Sequence, residues 1–384
     1  MILQGRPEME ETNTKKKIKM RHRGRTYQMF LYFTKILRIF LYQNDWKVLP
    51  MSAIVAGMAS LVVRNGMFQS MEKTLTGSLA LTCVAIWNGF FNSIQVICRE
   101  RSIVKREHRS GLHISAYIVA HMLFQAILCA LQAGITIYVC MGMGIVFPTK
   151  GVITSTYVMD LWITLFLVAY ASDMMSLFIS SIVHTTTAAM TVMPFILIFQ
   201  LVFSGGVFSL PKSVEFMSDF TFSHYGLQCI TAQSGYNELP MISAWQTLDK
   251  MKDSEIETQT TVGQTMDVLQ TNDNEALREM RETKTESGLT AGDILKMITK
   301  SPDYKNYSDK KIKIKFKVSD VIDLFGREKV KQAVNEKSME AGQNSAYEKT
   351  VGNIANCWIT LGLMALLLAL LSIIALEFID KDKR

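Results

Sequence analysis

Arg99-Glu100-Arg101-Ser102-Ile103-Val104-Lys105-Arg106-Glu107-His108-Arg109-Ser110-Gly111 is the stretch on which the reading of this chain turns. On one side, no residue from 75 to 98 carries a formal charge; on the other, none from 110 to 149 does. A helix needs about 20 apolar residues to cross a hydrocarbon core of roughly 30 Å, so each flank is long enough to span. Cytoplasmic loops collect Lys and Arg. A dense, mostly cationic wedge between two such segments therefore reads as a cytoplasmic turn, where a machine outside the bilayer pushes on helices inside it.

Outward from the wedge, the apolar residues fall in blocks rather than in periodic stripes, and they make up 49% of 384 residues. That concentration marks an integral membrane protein. Its blocks are helices, because backbone polar groups in lipid must be satisfied within the segment. The net charge of +7 does not point to nucleic acid. Much of the excess lies in the wedge and in Lys15, Lys16, Lys17, Lys19, Arg21, Arg23 and Arg25, just before the first apolar stretch. There it reads as a solvated tail that helps set topology, with attraction to anionic lipid head groups as the alternative. The cysteines sit mostly inside apolar segments, so no disulfide framework is implied. The first apolar stretch follows a charged leader without a small-residue cleavage site, and reads as uncleaved.

The expected fold is an all-α polytopic membrane protein with six transmembrane helices. Residues 1–25 form a basic cytoplasmic tail. Residues 26–45 form an amphipathic connecting helix, because Gln28, Lys35 and Arg38 interrupt 27–43 near one helix face. Within 46–208 lie five spans, at 48–63, 75–98, 114–140, 154–183 and 188–207, with a cytoplasmic loop at 99–113. Residues 209–236 read as a re-entrant or interfacial segment, 237–351 as an extracytoplasmic module, and 352–384 as the sixth span with a short tail. With the basic end inside, six crossings leave both termini cytoplasmic and the insert 209–351 outside. Long translocated domains escape the positive-inside count, so the insert's lysines do not object.

Inside the insert, residues 261–283 and 290–300 read as amphipathic helices, the second with a Thr290/Asp293 capping pair. The alternation of Lys311-Ile-Lys-Ile-Lys-Phe-Lys-Val318 predicts a half-buried strand. One strand makes no sheet, so a partner is expected at 259–264 or from a second copy of the chain. Ser319 then starts a helix with Ile322, Leu324, Phe325 and Val330 on its buried side.

No Gly-x-x-x-x-Gly-Lys-Ser/Thr loop is present to cradle ATP phosphates. The six histidines are scattered without ligand spacing, so no metal site is expected. No catalytic residue is assigned. Asp173 is the costly residue, since a charge at the bilayer centre costs roughly 2.5–3.5 kcal/mol on insertion scales. Either it faces a partner such as His184, Arg64 or backbone groups, or it lies solvated near the cytoplasmic boundary, the favoured reading.

Three groups of residues carry a family resemblance. Glu100-Arg101, Arg106-Glu107-x-x-Ser110-Gly111 and Ser115-Ala-Tyr117 resemble the first intracellular loop of permeases in the G-subfamily-like class of ATP-binding cassette exporters. Phe203-Ser-Gly-Gly-Val-Phe208 and Phe222-Ser-His-Tyr-Gly226 resemble that family's Phe-Ser-Gly and Ser-Pro-x-x-Tyr-Gly re-entrant segment. Gln28, Lys35 and Asn44-Asp45 stand near the polar positions of its connecting helix. The order is preserved over 26–233 and the last span, although the nucleotide-binding domain is missing and the outer insert is longer than usual.

The resemblance implies a permease subunit of an exporter, without cofactor of its own, whose partner ATPase subunit holds ATP and Mg. It implies a second permease copy, as homodimer or heterodimer, in a bacterial plasma membrane among lipids. Contact with the ATPase would fall to Lys35, Glu100, Arg101, Arg106, Glu107, Arg109 and Gly111. A translocation cavity between two copies would be lined by Trp87, Asn88, Phe91 and Asn92 facing Phe195, Phe199, Gln200 and Phe203. Asn88 and Asn92 share a helix face, yet intramembrane amides also serve as glue between helices. The rival reading is a non-transporting sensor or scaffold whose outer module binds a ligand or envelope component.

Overall fold

The computed structural model describes residues 24–43, 45–208, 211–253, 255–271, 275–284, 288–319, 322 and 326–378. The basic tail up to residue 23, Asn44, Leu324, Phe325 and the last six residues lie outside them. Helix α1 (Arg25–Tyr42) leads through a short 3₁₀ turn at Asp45–Lys47 into α2 (Val48–Val63). Pro50 falls in the first turn of α2, where its missing N–H costs nothing. Helix α3 (Met71–Ser93) starts on Ser70, whose side chain accepts from Lys73 N–H, as an N-cap serine does.

Helix α4 (Val96–Arg109) follows α3 almost without a break. The charged run expected as a loop is therefore helical, and the turn is confined to Ser110–Leu112. Arg, Lys and Glu are good helix formers, and the ending is local. Gly111 takes φ +103°, a conformation glycine adopts freely. Leu112 N–H closes on Glu107 O at 3.0 Å, the six-to-one bond of a Schellman ending.

Helices α5 (Ile114–Gly142) and α6 (Tyr157–Ile182) complete the centre. Helix α6 is the hub, packed against α3, α5 and the last helix. Its side toward α3 and α4 is built of small hydroxyls one turn apart. Ser172 donates to Ile86 O (2.7 Å), Ser176 to Gly89 O (3.5 Å), and Ser180 Oγ accepts from Ile97 and Cys98 N–H (3.0 and 3.2 Å). Small residues of this kind let helix backbones approach closely in lipid.

Helix α7 (Thr186–Val202) has 17 residues and contains Pro194. At 1.5 Å per residue it is about 26 Å long, short of the core. Among the described residues, five helices are long and apolar enough to cross a membrane, and α7 is not one of them. Helix α8 (Phe222–Gln233) is too short to span and is buried along most of its length against α3 and α6.

The insert holds α9 (Ser243–Lys250), β1 (Glu255–Thr261), α10 (Val262–Thr271), α11 (Glu275–Glu282), α12 (Ala291–Lys300), α13 (Tyr304–Tyr307), β2 (Lys311–Lys317) and α14 (Arg327–Gly342). The strand's partner comes from the same chain. Strands β1 and β2 are antiparallel, with Glu255 opposite Lys317 and Thr261 opposite Lys311. The partner overlaps the expected 259–264 only at 259–261: it starts at 255, and residues 262–264 already belong to α10. The single helix expected over 261–283 is two, α10 and α11. Thr290 caps α12 as expected, accepting from Asp293 N–H. Helix α15 (Val351–Glu377) closes the bundle against α6 and α8.

Candidate functional site

The charged end of the molecule joins α1, α4 and α5. Helix α1 presents Gln28, Tyr32 and Lys35 along one side, at spacings of four and three. Gln28 bridges the turn after α4: its Nε2 donates to Gly111 O (3.2 Å) and its Oε1 accepts from His113 N–H (2.9 Å). Tyr32 is buried and donates its hydroxyl to Glu107 Oε2. Lys35 Nζ stands 3.6 Å from Glu107 Oε1 and 5.1 Å from the Tyr32 ring centre. The Tyr32 ring meets that of Tyr117 edge-on at 5.5 Å.

These contacts differ in strength. The half-exposed Lys35–Glu107 pair is worth at most about 1 kcal/mol. A hydrogen bond onto an ionised carboxylate is roughly twice as strong as a neutral one. Burial, and then the Glu107 carboxylate, raise the Tyr32 phenol well above its usual range, so it remains a donor throughout the physiological range.

Helix α4 is also gripped from α6. Arg101 donates to Ser181 O (2.8 Å) and Val183 O (3.4 Å) at the C-terminus of α6, where a cation complements the helix dipole. Arg99 pairs with Asp45 at 3.7 Å. Glu100 is half-buried, whereas Arg106 and Arg109 are exposed beside Ile103 on the outer face of α4. Helix α4 is thus joined to α1 through Glu107 and to α6 through Arg101. Gly111 contributes backbone shape.

The residues expected along a translocation path divide. Trp87, Phe91 and Phe195 point outward, with 45%, 47% and 70% of their surface exposed. Trp87 lies against Phe91 and Phe199 against Phe203, with ring centres 5.6 and 4.8 Å apart. Asn88 is buried. Asn92 forms a reciprocal amide pair with Gln132 of α5 at 2.9 and 3.0 Å. Gln200 is buried, its Oε1 accepting from Ser223 N–H of α8 at 3.2 Å. Both amides therefore hold helices together here.

Asp173 corrects its favoured reading. It is fully buried on α6, and among the described residues neither carboxylate oxygen has a hydrogen-bond partner that meets normal geometry. Neither His184 nor Arg64 bonds it. The ten-residue distance to the end of the helix does not bring it to solvent, because the side chain points inward toward α3, where Gly89 meets its backbone.

Tyr32, Gln132 and Ser180 were not among the expected site residues. Tyr32 shares the helical spacing of Gln28 and Lys35, which is a usable signal. Gln132 and Ser180 stand in apolar runs where nothing local distinguishes them.

Residues 11–233, more than half of the chain, match the family model described as ABC-2 type transporter. Over 125 residues the chain is 31% identical to an ABC transporter ATP-binding/permease protein of Mycobacterium tuberculosis. That stretch is 32% of this chain and spans only 14% of the relative's length. With its long apolar helices, this multi-pass membrane protein belongs to the ABC-2 type transporters, the membrane components of ABC transport systems.

Proposed function

We propose that the chain is the permease subunit of an exporter driven by separate ATPase subunits, working by alternating access as a dimer with a second permease copy. Helices α1 and α4 face the cytoplasm and receive the ATPase. Closure of the ATPases pushes the Arg106/Arg109 face of α4, and the Tyr32–Glu107–Lys35 cluster carries the push to α1. The ligand-dependent switch is then a population shift between inward- and outward-facing states. The single observation that carries this reading is Glu107, which holds α1 through Tyr32 and Lys35 at once. The outward-facing Trp87, Phe91 and Phe195 are offered to the second copy as the wall of the pathway. Helix α7, with the α8 segment beyond it, serves as the fifth of six spans. Both termini are cytoplasmic, and the 209–351 insert faces outside a bacterial plasma membrane. ATP and Mg are held by the partner.

The test is Glu107→Arg. It places a cation against Lys35 and removes the acceptor for Tyr32. Co-purification with the ATPase is expected to be lost while membrane insertion persists. An unchanged ATPase yield would overturn the coupling role of Glu107, whereas failure of the unsubstituted chain to bring down any ATPase would favour a non-transporting scaffold.

A further inference from the structure

Helices α8 and α15 pack together through Cys229 and Ala232 on one and Ile354 and Cys357 on the other, all four buried. The two thiols lie within hydrogen-bonding reach of each other. The sulfurs of Cys98, Cys129 and Cys140 stand instead beside Ser180, Asn92 and Ser60. A buried free cysteine usually serves as a small apolar side chain. Two of them, brought together from helices distant in sequence, can also react with one another.

The surroundings hold the pair in place. Gln233 Nε2 donates to Cys229 Sγ at 3.3 Å, and Thr164 Oγ1 stands 3.3 Å from the same sulfur. Trp358, next to Cys357 in the chain, donates its indole N–H to Thr164 Oγ1 at 2.8 Å. Thr164 of α6 therefore ties both cysteine-bearing segments together. Beside the thiols, Gln228 Nε2 donates to Asn353 Oδ1 at 3.0 Å, a second link between α8 and α15. Helix α15 begins at Val351, which puts Cys357 about 9 Å along it at 1.5 Å per residue. In the proposed orientation that end of the span faces outside, where the redox environment lets disulfides persist.

We propose that Cys229 and Cys357 form a reversible disulfide that staples the short α8 to the last span. The oxidant is an external disulfide, RS–SR. One cysteine, as its thiolate, attacks RS–SR, and RS⁻ leaves and takes up the proton that the cysteine gave up. The second cysteine, as its thiolate, then attacks the protein sulfur of that mixed disulfide. Its bond to the remaining RS sulfur breaks as the Cys229–Cys357 bond forms. Two protein thiols are oxidised, and one RS–SR is reduced to two RSH. The bond joins the sulfurs to each other, so no group has to lodge between them. The oxidant needs only a transient local opening of the seam. Oxidised, α8 moves only with α15; reduced, it is held by packing and hydrogen bonds alone. The assignment takes its oxidising surroundings from the proposed orientation and nothing from ATPase recruitment.

The test uses the full chain in detergent, treated with diamide just below its unfolding midpoint, where local opening admits the reagent. Diamide accepts two hydrogens from a pair of thiols. The protein is then denatured, alkylated with N-ethylmaleimide and mapped by peptide mass spectrometry. A linked Cys229–Cys357 peptide is expected, lighter than its two reduced parts by two hydrogens and lost on dithiothreitol. Cys229→Ser and Cys357→Ala should each abolish it and leave the other cysteines alkylated. The linked chain should unfold at a higher midpoint than the reduced chain, whereas diamide should not shift the midpoint of Cys229→Ser. Full alkylation of both cysteines after diamide would overturn the staple, as would a link from either to a different cysteine. A second arm adds a membrane-impermeant phosphine to intact cells in which the chain has been oxidised. Loss of the link there supports the staple on the outer side. A link that is lost only after lysis would support the staple and overturn the orientation.

Discussion

At the scale of single residues, Asp160 and Asp173 lie 13 positions apart on α6, and both are wholly buried. Asp160 is fully provided for: Oδ2 accepts from Val152 and Ile153 N–H (2.6 and 3.1 Å), and Oδ1 from Thr154 N–H (2.9 Å). Its carboxylate organises the turn that feeds α6. Asp160→Ala leaves three backbone donors without their acceptor, and hydrogen bonds to charged groups are worth ~1.5–3 kcal/mol each. Partial rescue by water brings the expected loss to about 3 kcal/mol, read as a lower unfolding midpoint in detergent. An unchanged midpoint would show the turn to be self-supporting. Asp173 stood out in the sequence as an acid within an apolar run, but the environment of neither aspartate was legible there. Asp160 meets a loop six to eight residues upstream, whereas Asp173 faces α3, more than 80 positions away.

At the scale of elements, the α3–α6 contact governs the bundle. Its closest point is Gly89, where an added Cβ would collide with the Ala169 carbonyl oxygen and come within 2.8 Å of Ser172 Cβ. Neither neighbour is a flexible chain end, so the helices themselves would have to part. Overpacking of this sort costs typically 1–3 kcal/mol. Gly89→Ala is expected to lower the unfolding midpoint clearly, and Gly362→Ala, where no atom lies within 4 Å, should not. Equal midpoints for the two would refute the close approach. The apolar blocks announced α2, α3, α5, α6 and α15 because length and lack of charge are local properties. That α4 is a helix rather than a loop was less legible. Its charged residues marked it as cytoplasmic, while its N-terminal cap is Ser180, supplied by another helix.

At the scale of the whole molecule, residues 255–318 form a lobe whose two ends nearly touch. Ser319 N–H donates to Lys252 O at 2.8 Å. The lobe is closed by its own two-stranded sheet and by packing among α10, α11 and α12. Joining those ends costs little loop-closure entropy. Replacement of 255–318 by a few Gly and Ser residues is therefore expected to leave the bundle folded. The check is a single size-exclusion peak and an unfolding midpoint within a few degrees of the parent; aggregation would mean that the lobe supports the bundle. The sequence by itself determined that this chain is a helical membrane protein and where most helices lie, because solvation by lipid acts on each segment separately. It also singled out the charged run of an ABC-2 type permease. Only the tertiary structure decided that Glu107 grips Tyr32, that Asn92 and Gln200 bind helices together, that Asp173 is buried, and that the Cys229 and Cys357 thiols meet. Those outcomes depend on which faces meet across dozens of residues, and no local pattern encodes a partner on another helix.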